Sequence, residues 1–274
     1  MPQILFQNKK IFYRVEGKGK PVVLLHGFAE DGNIWNKQID ALKEKYLLII
    51  PGLPGSGESE MLDKKSTLED YAEVIKAIAD EAVFKEKKEN QFCLIGHSMG
   101  GYITLAFAEK YPELLNSFGL FHSSAFADTE EKIAVRKKGI AFIKKNGTEA
   151  FLKTSIPNLF SEETQKAKPE FITQLYDLAR NISPKALIQY YEAMILRPDR
   201  TDILRTFEKP VLFIIGKYDA AVPLETSLQQ CYLPAISLVN ILQHSAHMGM
   251  WEEEELANNY LKEFLDFSSL RNSK

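Results

Sequence analysis

The sequence predicts an α/β fold, a mainly parallel β-sheet flanked by helices, and two observations carry this prediction. Short, continuous apolar runs recur along the chain, which is typical of strands buried on both faces of a parallel sheet. These runs are residues 22–25, 47–50, 92–95, 118–121, 211–215 and 238–242. Segments with helical spacing separate most of the runs, and strands that alternate with helices favour this fold class.

A β-hairpin is predicted ahead of the first run. Residues 4–6 and 11–15 are short segments rich in strand-forming residues, and they flank Asn8-Lys9-Lys10. Gly17 and Gly19 then interrupt the pattern before the first buried run begins.

Helical segments are predicted on either side of the sheet. Residues 67–84 place apolar side chains at helical spacing, with Thr67 as a candidate N-cap. Residues 98–111 form a second segment that ends at Pro112, and residues 256–267 form a third.

The alternation stops in the middle of the chain, where helical patterns follow one another without a strand run. One pattern covers residues 128–146 and ends at Gly147, which is a favourable residue just after a helix. Another begins at Ser183-Pro184, an N-cap residue followed by proline at the first helical position. Such a stretch, inserted into an α/β sheet, is typical of a cap.

The domain organisation follows from where the strand pattern resumes. A chain of 274 residues could form one large domain or two small ones. Because strands return after the helical stretch, we predict one α/β core, residues 1–124 and 206–274, interrupted by a helical cap, residues 125–205.

Charge and composition exclude several classes of protein. The 34 Lys+Arg and 37 Asp+Glu residues give a net charge of −3, which does not support nucleic-acid binding. The 45% hydrophobic content excludes a disordered chain. No apolar run approaches the roughly 18 residues of a membrane helix, and the first residues lack a targeting pattern. With only 2 cysteines, we expect a soluble, cytoplasmic protein; its oligomeric state stays open.

The strongest chemical signal is the segment Gly96-His97-Ser98-Met99-Gly100, between a predicted strand and a predicted helix. A G-x-S-x-G sequence in that context is a nucleophile elbow, a sharp turn that exposes the serine hydroxyl above the sheet. Small residues flank the serine because side chains there would collide across the turn. Ser98 is therefore the candidate nucleophile.

A serine nucleophile needs a general base and an acid that orients it. In this fold class the order along the chain is Ser, then Asp or Glu, then His. His247 follows the last predicted strand and is the favoured base; His244 is the alternative, but it lies closer to the strand. Asp219 follows the preceding strand and is the candidate acid.

An oxyanion hole completes the predicted site. One donor should be the N–H of Met99, the residue after the nucleophile, and the other an N–H from the loop after the first buried run. In that loop, His26-Gly27-Phe28, the N–H of Phe28 is the candidate, and His26 is interpreted as a residue that orients the loop. This chemistry requires no metal ion and no organic cofactor.

Taken together, these motifs resemble the α/β-hydrolase fold superfamily. The resemblance rests on His26-Gly27-Phe28, residues 51–57 (PGLPGSG), residues 96–101 (GHSMGG), Tyr218-Asp219 and His247, and it covers nearly the whole chain. It implies Ser98 as nucleophile, Asp219 as acid, His247 as base, and an oxyanion hole formed by Phe28 and Met99. Relatives with an Asp nucleophile, the haloalkane dehalogenases and epoxide hydrolases, are disfavoured because Ser98 stands at that position.

The resemblance implies a serine hydrolase that acts on a small-molecule substrate through an acyl-enzyme, and the substrate class we favour is a small to medium carboxylic ester. The near-neutral charge of the chain fits a substrate that is uncharged and apolar. Hydrolysis of a C–C bond, a lactone or a thioester by the same triad stays open, as does a non-enzymatic role as a small-molecule sensor. Apolar side chains near the predicted cap are candidate substrate contacts: Phe28, Trp35, Phe126 and Met248.

Overall fold

The computed structural model describes residues 1–85 and 90–271 and contains one β-sheet. Within these residues the sheet has eight strands in the order β1-β2-β4-β3-β5-β6-β7-β8. The strands are β1 Gln3–Phe6, β2 Lys9–Gly17, β3 Lys20–Leu25, β4 Tyr46–Pro51, β5 Phe92–His97, β6 Leu115–Phe121, β7 Val211–Gly216 and β8 Ser237–Leu242. All pairs from β4 to β8 are parallel, which confirms the predicted fold class.

The hairpin at the start of the chain forms the antiparallel edge of the sheet. β1 pairs with β2, and β2 pairs antiparallel with β4. The turn consists of Gln7 and Asn8, both with positive φ (49° and 63°), and Phe6 is paired with Lys9. The turn thus lies earlier than predicted, because Lys9 and Lys10 already belong to β2.

Helices connect the strands and also form the inserted segment. They are α1 Asn36–Leu42, α2 Leu68–Ala79, α3 Met99–Lys110, α4 Glu130–Ser155, α5 Glu162–Ala167, α6 Glu170–Ala179, α7 Pro184–Ile195, α8 Thr201–Thr206, α9 Leu224–Leu228, α10 Gly249–Glu252 and α11 Glu254–Arg271. Thr67 caps α2, as predicted, and it also forms a reciprocal capping box with Asp70. Among the described residues, no helix is both long enough and apolar enough to span a bilayer.

The segment between β6 and β7, all of which the structure describes, contains no strand, and its helices are α4 to α8. In α4, Gly147 has φ 82° and ψ 172°, so two helical pieces meet at a kink. The glycine therefore interrupts the helix, as predicted, but a second helical piece follows it directly. Ser183 caps α7, whose Tyr190 donates a hydrogen bond to the carbonyl of Pro54 at 2.8 Å. This contact joins the helical segment to the core.

The core of the molecule lies around the parallel strands. Every residue of β4, β5 and β7 is buried, as expected for strands covered by helices on both faces. Because the carboxyl ends of parallel strands meet at one edge of the sheet, the loops after β3, β5, β6, β7 and β8 lie together. The predicted site residues belong to these loops.

Candidate active site

Ser98 lies at the turn between β5 and α3, in a strained backbone conformation with φ 51° and ψ −116°. A Cβ at Gly96 would lie 2.2 Å from the carbonyl of Gly100, and a Cβ at Gly100 would lie 2.7 Å from the carbonyl oxygens of Leu25 and His26. Only glycine fits at either position. The turn places Ser98 in the wall of a cavity of about 320 Å³.

The structure brings Asp219 and His247 into direct contact beside this cavity. Asp219 follows β7, and its Oδ2 accepts a hydrogen bond from Nδ1 of His247 at 2.7 Å. The N–H groups of Ala221 and Val222 donate to Oδ1 at 2.8 and 2.9 Å. Burial acts to raise the pKa of Asp219, but the adjacent imidazoles, through their charge and their hydrogen bonds, hold the pKa far below its usual range. The carboxylate is therefore ionised and fixes the orientation of His247, which lines the same cavity as Ser98. His244 is exposed and lies outside the lining of this cavity.

His122, directly after β6, is a site residue that the sequence analysis missed. Its Nδ1 lies 3.3 Å from Oδ2 of Asp219. The backbone N–H groups of Gly216 and Gly249 face Nδ1 and Nε2 at 3.0 and 3.2 Å. Burial lowers the pKa of His122 to about 4, so the ring is neutral at neutral pH. Its position immediately after a buried strand run, at the edge of the sheet that carries Ser98, was the signal available in the sequence.

A buried ion pair between Glu30 and His97 lies beneath the elbow. Oε2 of Glu30 accepts from the N–H of Gly27 at 2.6 Å and from Nδ1 of His97 at 3.0 Å. Nε2 of His97 donates to the carbonyl of His247 at 2.9 Å. Burial disfavours charge on both groups, yet each shifts the other toward its charged form: the pKa of Glu30 is lowered and that of His97 is raised. The pair therefore ties the loop after β3, the elbow and the His247 loop together.

The candidate oxyanion donors occupy the expected loops. Met99 is the first residue of α3, so its N–H has no acceptor within the helix. The loop that contains Phe28 is fixed by His26, whose Nε2 accepts from the N–H of Leu53 at 3.0 Å. Nδ1 of His26 therefore carries the proton and donates to the carbonyl of Gly27 at 2.9 Å. This arrangement agrees with the orienting role expected for His26.

Only one of the four candidate substrate contacts, Phe28, is among the residues that line the cavity. Its ring stacks on Tyr191 of α7, with ring centroids 4.3 Å apart. Trp35 is fully buried against Phe121 and His97, Met248 is also fully buried, and Phe126 lies outside the lining of the cavity. Apolar character identified these residues in the sequence, but it does not distinguish a cavity wall from ordinary core.

The lining also includes charged and polar side chains that the sequence analysis did not select. Lys132 and Arg136 are four residues apart on α4, so they share one face of the helix. Tyr102 of α3 and Tyr191 line the cavity as well. The sequence shows that Lys132 and Arg136 share one face of a helix. It does not show that this face of α4 lines the cavity that contains Ser98.

His122, Asp219 and His247 present nitrogen and oxygen atoms within 4.8 Å of one another, the one group of this kind among residues 1–85 and 90–271. Two ligands of one tetrahedral Zn²⁺, each at about 2.0–2.2 Å from the ion, lie more than about 3 Å apart. The 2.7 Å between Nδ1 of His247 and Oδ2 of Asp219 is instead a hydrogen-bond distance. These side chains fit a proton-handling site better than a metal site.

A family model described as alpha/beta hydrolase fold matches residues 20–254. The chain belongs to the α/β-hydrolase family. A 2-hydroxy-6-oxononadienedioate/2-hydroxy-6-oxononatrienedioate hydrolase from Paraburkholderia phymatum is 26% identical over 93% of this chain and 91% of its own length. A pimeloyl-[acyl-carrier protein] methyl ester esterase from Legionella pneumophila is 25% identical over 91% of this chain and 96% of its own.

The structure is also similar to that of a thermophilic esterase from Thermogutta terrifontis, solved with malate bound. The TM-score is 0.90 at 26% identity, and the match covers 97% of this chain and 98% of the other. The family match and these relatives confirm the predicted family and show that this α/β-hydrolase is an enzyme, a hydrolase. Its substrate is a small molecule.

Proposed function

We propose that this α/β-hydrolase cleaves a small to medium carboxylic ester through an acyl-enzyme on Ser98. The observation that carries the proposal is the 2.7 Å hydrogen bond between His247 and a buried, ionised Asp219, beside the cavity that also contains Ser98. A serine hydroxyl is a weak nucleophile until an oriented imidazole accepts its proton. The carboxylate supplies that orientation and stabilises the imidazolium that forms.

In the proposed mechanism, Nε2 of His247 accepts the proton of Ser98 as Oγ attacks the ester carbonyl carbon. The N–H groups of Phe28 and Met99 stabilise the negative charge on the carbonyl oxygen. The C–O bond then breaks, and the alcohol leaves with the proton from His247. Water, activated by His247, hydrolyses the acyl-enzyme, which releases the acid and restores Ser98.

The comparisons support ester hydrolysis, since the Legionella and Thermogutta proteins are both named esterases. A second candidate is hydrolysis of a C–C bond by the same residues. It is favoured by the Paraburkholderia relative, which is named a 2-hydroxy-6-oxononadienedioate hydrolase. Both candidates use Ser98, and the nature of the substrate separates them.

Steady-state hydrolysis of 4-nitrophenyl butyrate tests the proposal. We expect turnover by the wild-type enzyme and a loss of at least about 10³-fold in kcat for Ser98→Ala, as is typical when a nucleophile is removed. Ser117→Ala is the matched control, because Ser117 is a buried serine of β6 away from the cavity and should leave kcat unchanged. Equal turnover by Ser98→Ala would overturn the proposal. Faster Ser98-dependent cleavage of a 2-hydroxy-6-oxodienoate than of any ester would favour the second candidate.

A further inference from the structure

One helix of the inserted segment brings two cationic side chains to the catalytic cavity. Lys132 and Arg136 both lie on α4, and both line the cavity that Ser98 and His247 also line. The Arg136 side chain is 12% exposed, so this guanidinium is not an ordinary surface charge. An uncharged, apolar substrate gives no reason for cations at this position.

The charges on this wall do not balance. Asp128 accepts from Nε of Arg136 at 2.5 Å and forms an ion pair with Arg197 at 2.7 Å, so one carboxylate faces two guanidinium groups. Lys132 adds a further positive charge. Glu30 forms an ion pair with His97, and Asp219 accepts a hydrogen bond from His247, so these two carboxylates are engaged away from Lys132 and Arg136.

The pKa of Tyr102 is affected by the same excess of positive charge. Its phenol is buried at the cavity, and burial acts to raise its pKa. The surrounding Arg197, Arg136 and Lys132 nevertheless lower the pKa of Tyr102 below its usual value. The guanidinium of Arg197 lies 3.9 Å from the centroid of the Tyr102 ring. A group that carries negative charge is therefore stabilised in this part of the cavity.

Both cations keep hydrogen-bond donors for a ligand. Nζ of Lys132 donates to the carbonyl of Ala221 at 2.8 Å, and an ammonium group has three N–H bonds. Arg136 directs Nε and Nη2 at Asp128 and Nη1 at the sulfur of Met194, a weak acceptor. Within residues 1–85 and 90–271, the other N–H bonds of these two groups have no protein acceptor. Paired donors of this kind match a carboxylate.

We propose that the substrate is an ester that carries a free carboxylate, which Lys132 and Arg136 bind while Ser98 attacks the ester carbonyl. The carboxylate belongs to the acid part or to the alcohol part of the ester, and the chemistry of recognition is the same in both cases. This inference rests on the proposed esterase function and deepens it. The apolar remainder of the lining, which includes Phe28, Phe151 and Ile156, would then contact the chain between the two groups.

Matched pairs of esters test the charge directly. Mono-4-nitrophenyl glutarate and 4-nitrophenyl pentanoate differ by a carboxylate on the acid part. The pair 4-carboxyphenyl butyrate and 4-(methoxycarbonyl)phenyl butyrate differs on the alcohol part. With spontaneous hydrolysis subtracted, we expect kcat/KM to be about tenfold higher for the charged member of one pair, the gain typical of a hydrogen bond to a charged group.

Arg136→Met should lower kcat/KM for the preferred charged ester by about 10- to 100-fold and change that of its neutral partner less than about threefold. Asp128 keeps its ion pair with Arg197 in this variant, so the fold is not expected to be lost. Lys132→Met should act in the same direction. Lys138→Met is the matched control, since Lys138 is an exposed residue of the same helix outside the cavity lining, and it should leave the charged-to-neutral ratio unchanged.

Absence of a charged-to-neutral preference in both pairs would overturn the inference. An equal loss for charged and neutral esters in Arg136→Met, or the same loss in Lys138→Met, would overturn it as well. In each of these outcomes the wild-type enzyme still hydrolyses neutral esters in a Ser98-dependent reaction, which distinguishes them from failure of the proposed function. If no ester is hydrolysed, calorimetric binding of monomethyl glutarate and methyl pentanoate to Ser98→Ala and to Ser98→Ala/Arg136→Met gives the same comparison without turnover.

Discussion

The sheet side of the cavity contains a chain of hydrogen bonds from Glu30 through His97 to His247, in which Glu30 and His97 form a buried ion pair. On the side formed by α4, Lys132 and Arg136 outnumber the single carboxylate of Asp128 near them. Paired, buried networks fix geometry, whereas unpaired donors at a cavity wall are available to a ligand. From this difference we propose that the sheet side performs the chemistry and that the inserted helices select the substrate.

The largest effect on kcat is expected when Asp219, the candidate acid on the sheet side, is replaced. Asp219→Asn removes the charge opposite His247 and favours the wrong imidazole tautomer, so kcat for a neutral ester should fall by about 10⁴-fold. The ratio of charged to neutral ester turnover should not change, because Lys132 and Arg136 are untouched. Steady-state kinetics with both esters measures this. A change in the ratio comparable to the change in kcat would mean that the two sides are not separable.

A pair of glycine substitutions compares the tolerance of the two regions. In Gly96→Ala the new Cβ would lie 2.2 Å from backbone atoms of Gly100, and we expect a loss of more than about 4 kcal/mol in the free energy of unfolding. At Gly147 in α4 nothing lies within 4 Å of the new Cβ. Gly147→Ala should therefore cost only the backbone strain, about 1–3 kcal/mol. Chemical denaturation measures both, and equal losses would contradict the comparison.

Glu30→Gln tests how much the buried pair with His97 contributes to stability. It leaves His97 without its ionic partner, so the free energy of unfolding should fall by about 3 kcal/mol. The lowered pKa of Glu30 and the raised pKa of His97 mean that the pair stabilises the wild type fully between pH 4.5 and 6.5. This contribution is lost as the pH rises through the pKa of folded His97. Denaturation from pH 6 to 9 should show this loss in the wild type and not in Glu30→Gln. An identical pH dependence in both proteins would contradict the assignment.

The smallest expected effect concerns His122, whose lowered pKa has the opposite sign. Between about pH 4 and 6.5 the unfolded chain binds a proton that the folded protein excludes, so stability falls as the pH falls through this window. Each such histidine contributes up to about 1.4 kcal/mol per pH unit. His26 acts in the same direction, because burial also lowers its pKa. His122→Asn should therefore flatten the pH dependence of unfolding without abolishing it, and an unchanged slope would contradict this.

The apolar runs predicted the sheet well because buried parallel strands need continuous hydrophobic sequence. Their ends were less predictable. β6 begins at Leu115 and not at residue 118, since its first residues include Asn116 and Ser117, which a run of apolar residues does not contain. The side chains of Ser98, Asp219 and His247 could be selected because each motif follows a strand, and the roles assigned to them remain proposals.

The rest of the site depends on contacts between segments far apart in the sequence. From the sequence alone, Glu30 resembles an ordinary surface carboxylate. In the folded protein it is buried against His97, which is 67 residues away along the chain. Lys132 and Arg136 share a helix face in the sequence, but the orientation of α4 over the sheet is set by tertiary packing. Trp35 and Met248 were selected as candidate substrate contacts, but both are fully buried core residues. Apolar residues near a site belong to the core more often than to a cavity wall.

Labelling with a fluorophosphonate, followed by peptide mass spectrometry, tests the central claim most directly. We expect one covalent adduct, on Ser98, in the wild type and in Ser117→Ala. In Asp219→Asn the same adduct should form more slowly, and the labelling rate should fall in proportion to kcat. No adduct should form with Ser98→Ala. An adduct on another serine, or labelling of Ser98→Ala at the wild-type rate, would contradict the assignment of Ser98 as the nucleophile that Asp219 and His247 activate.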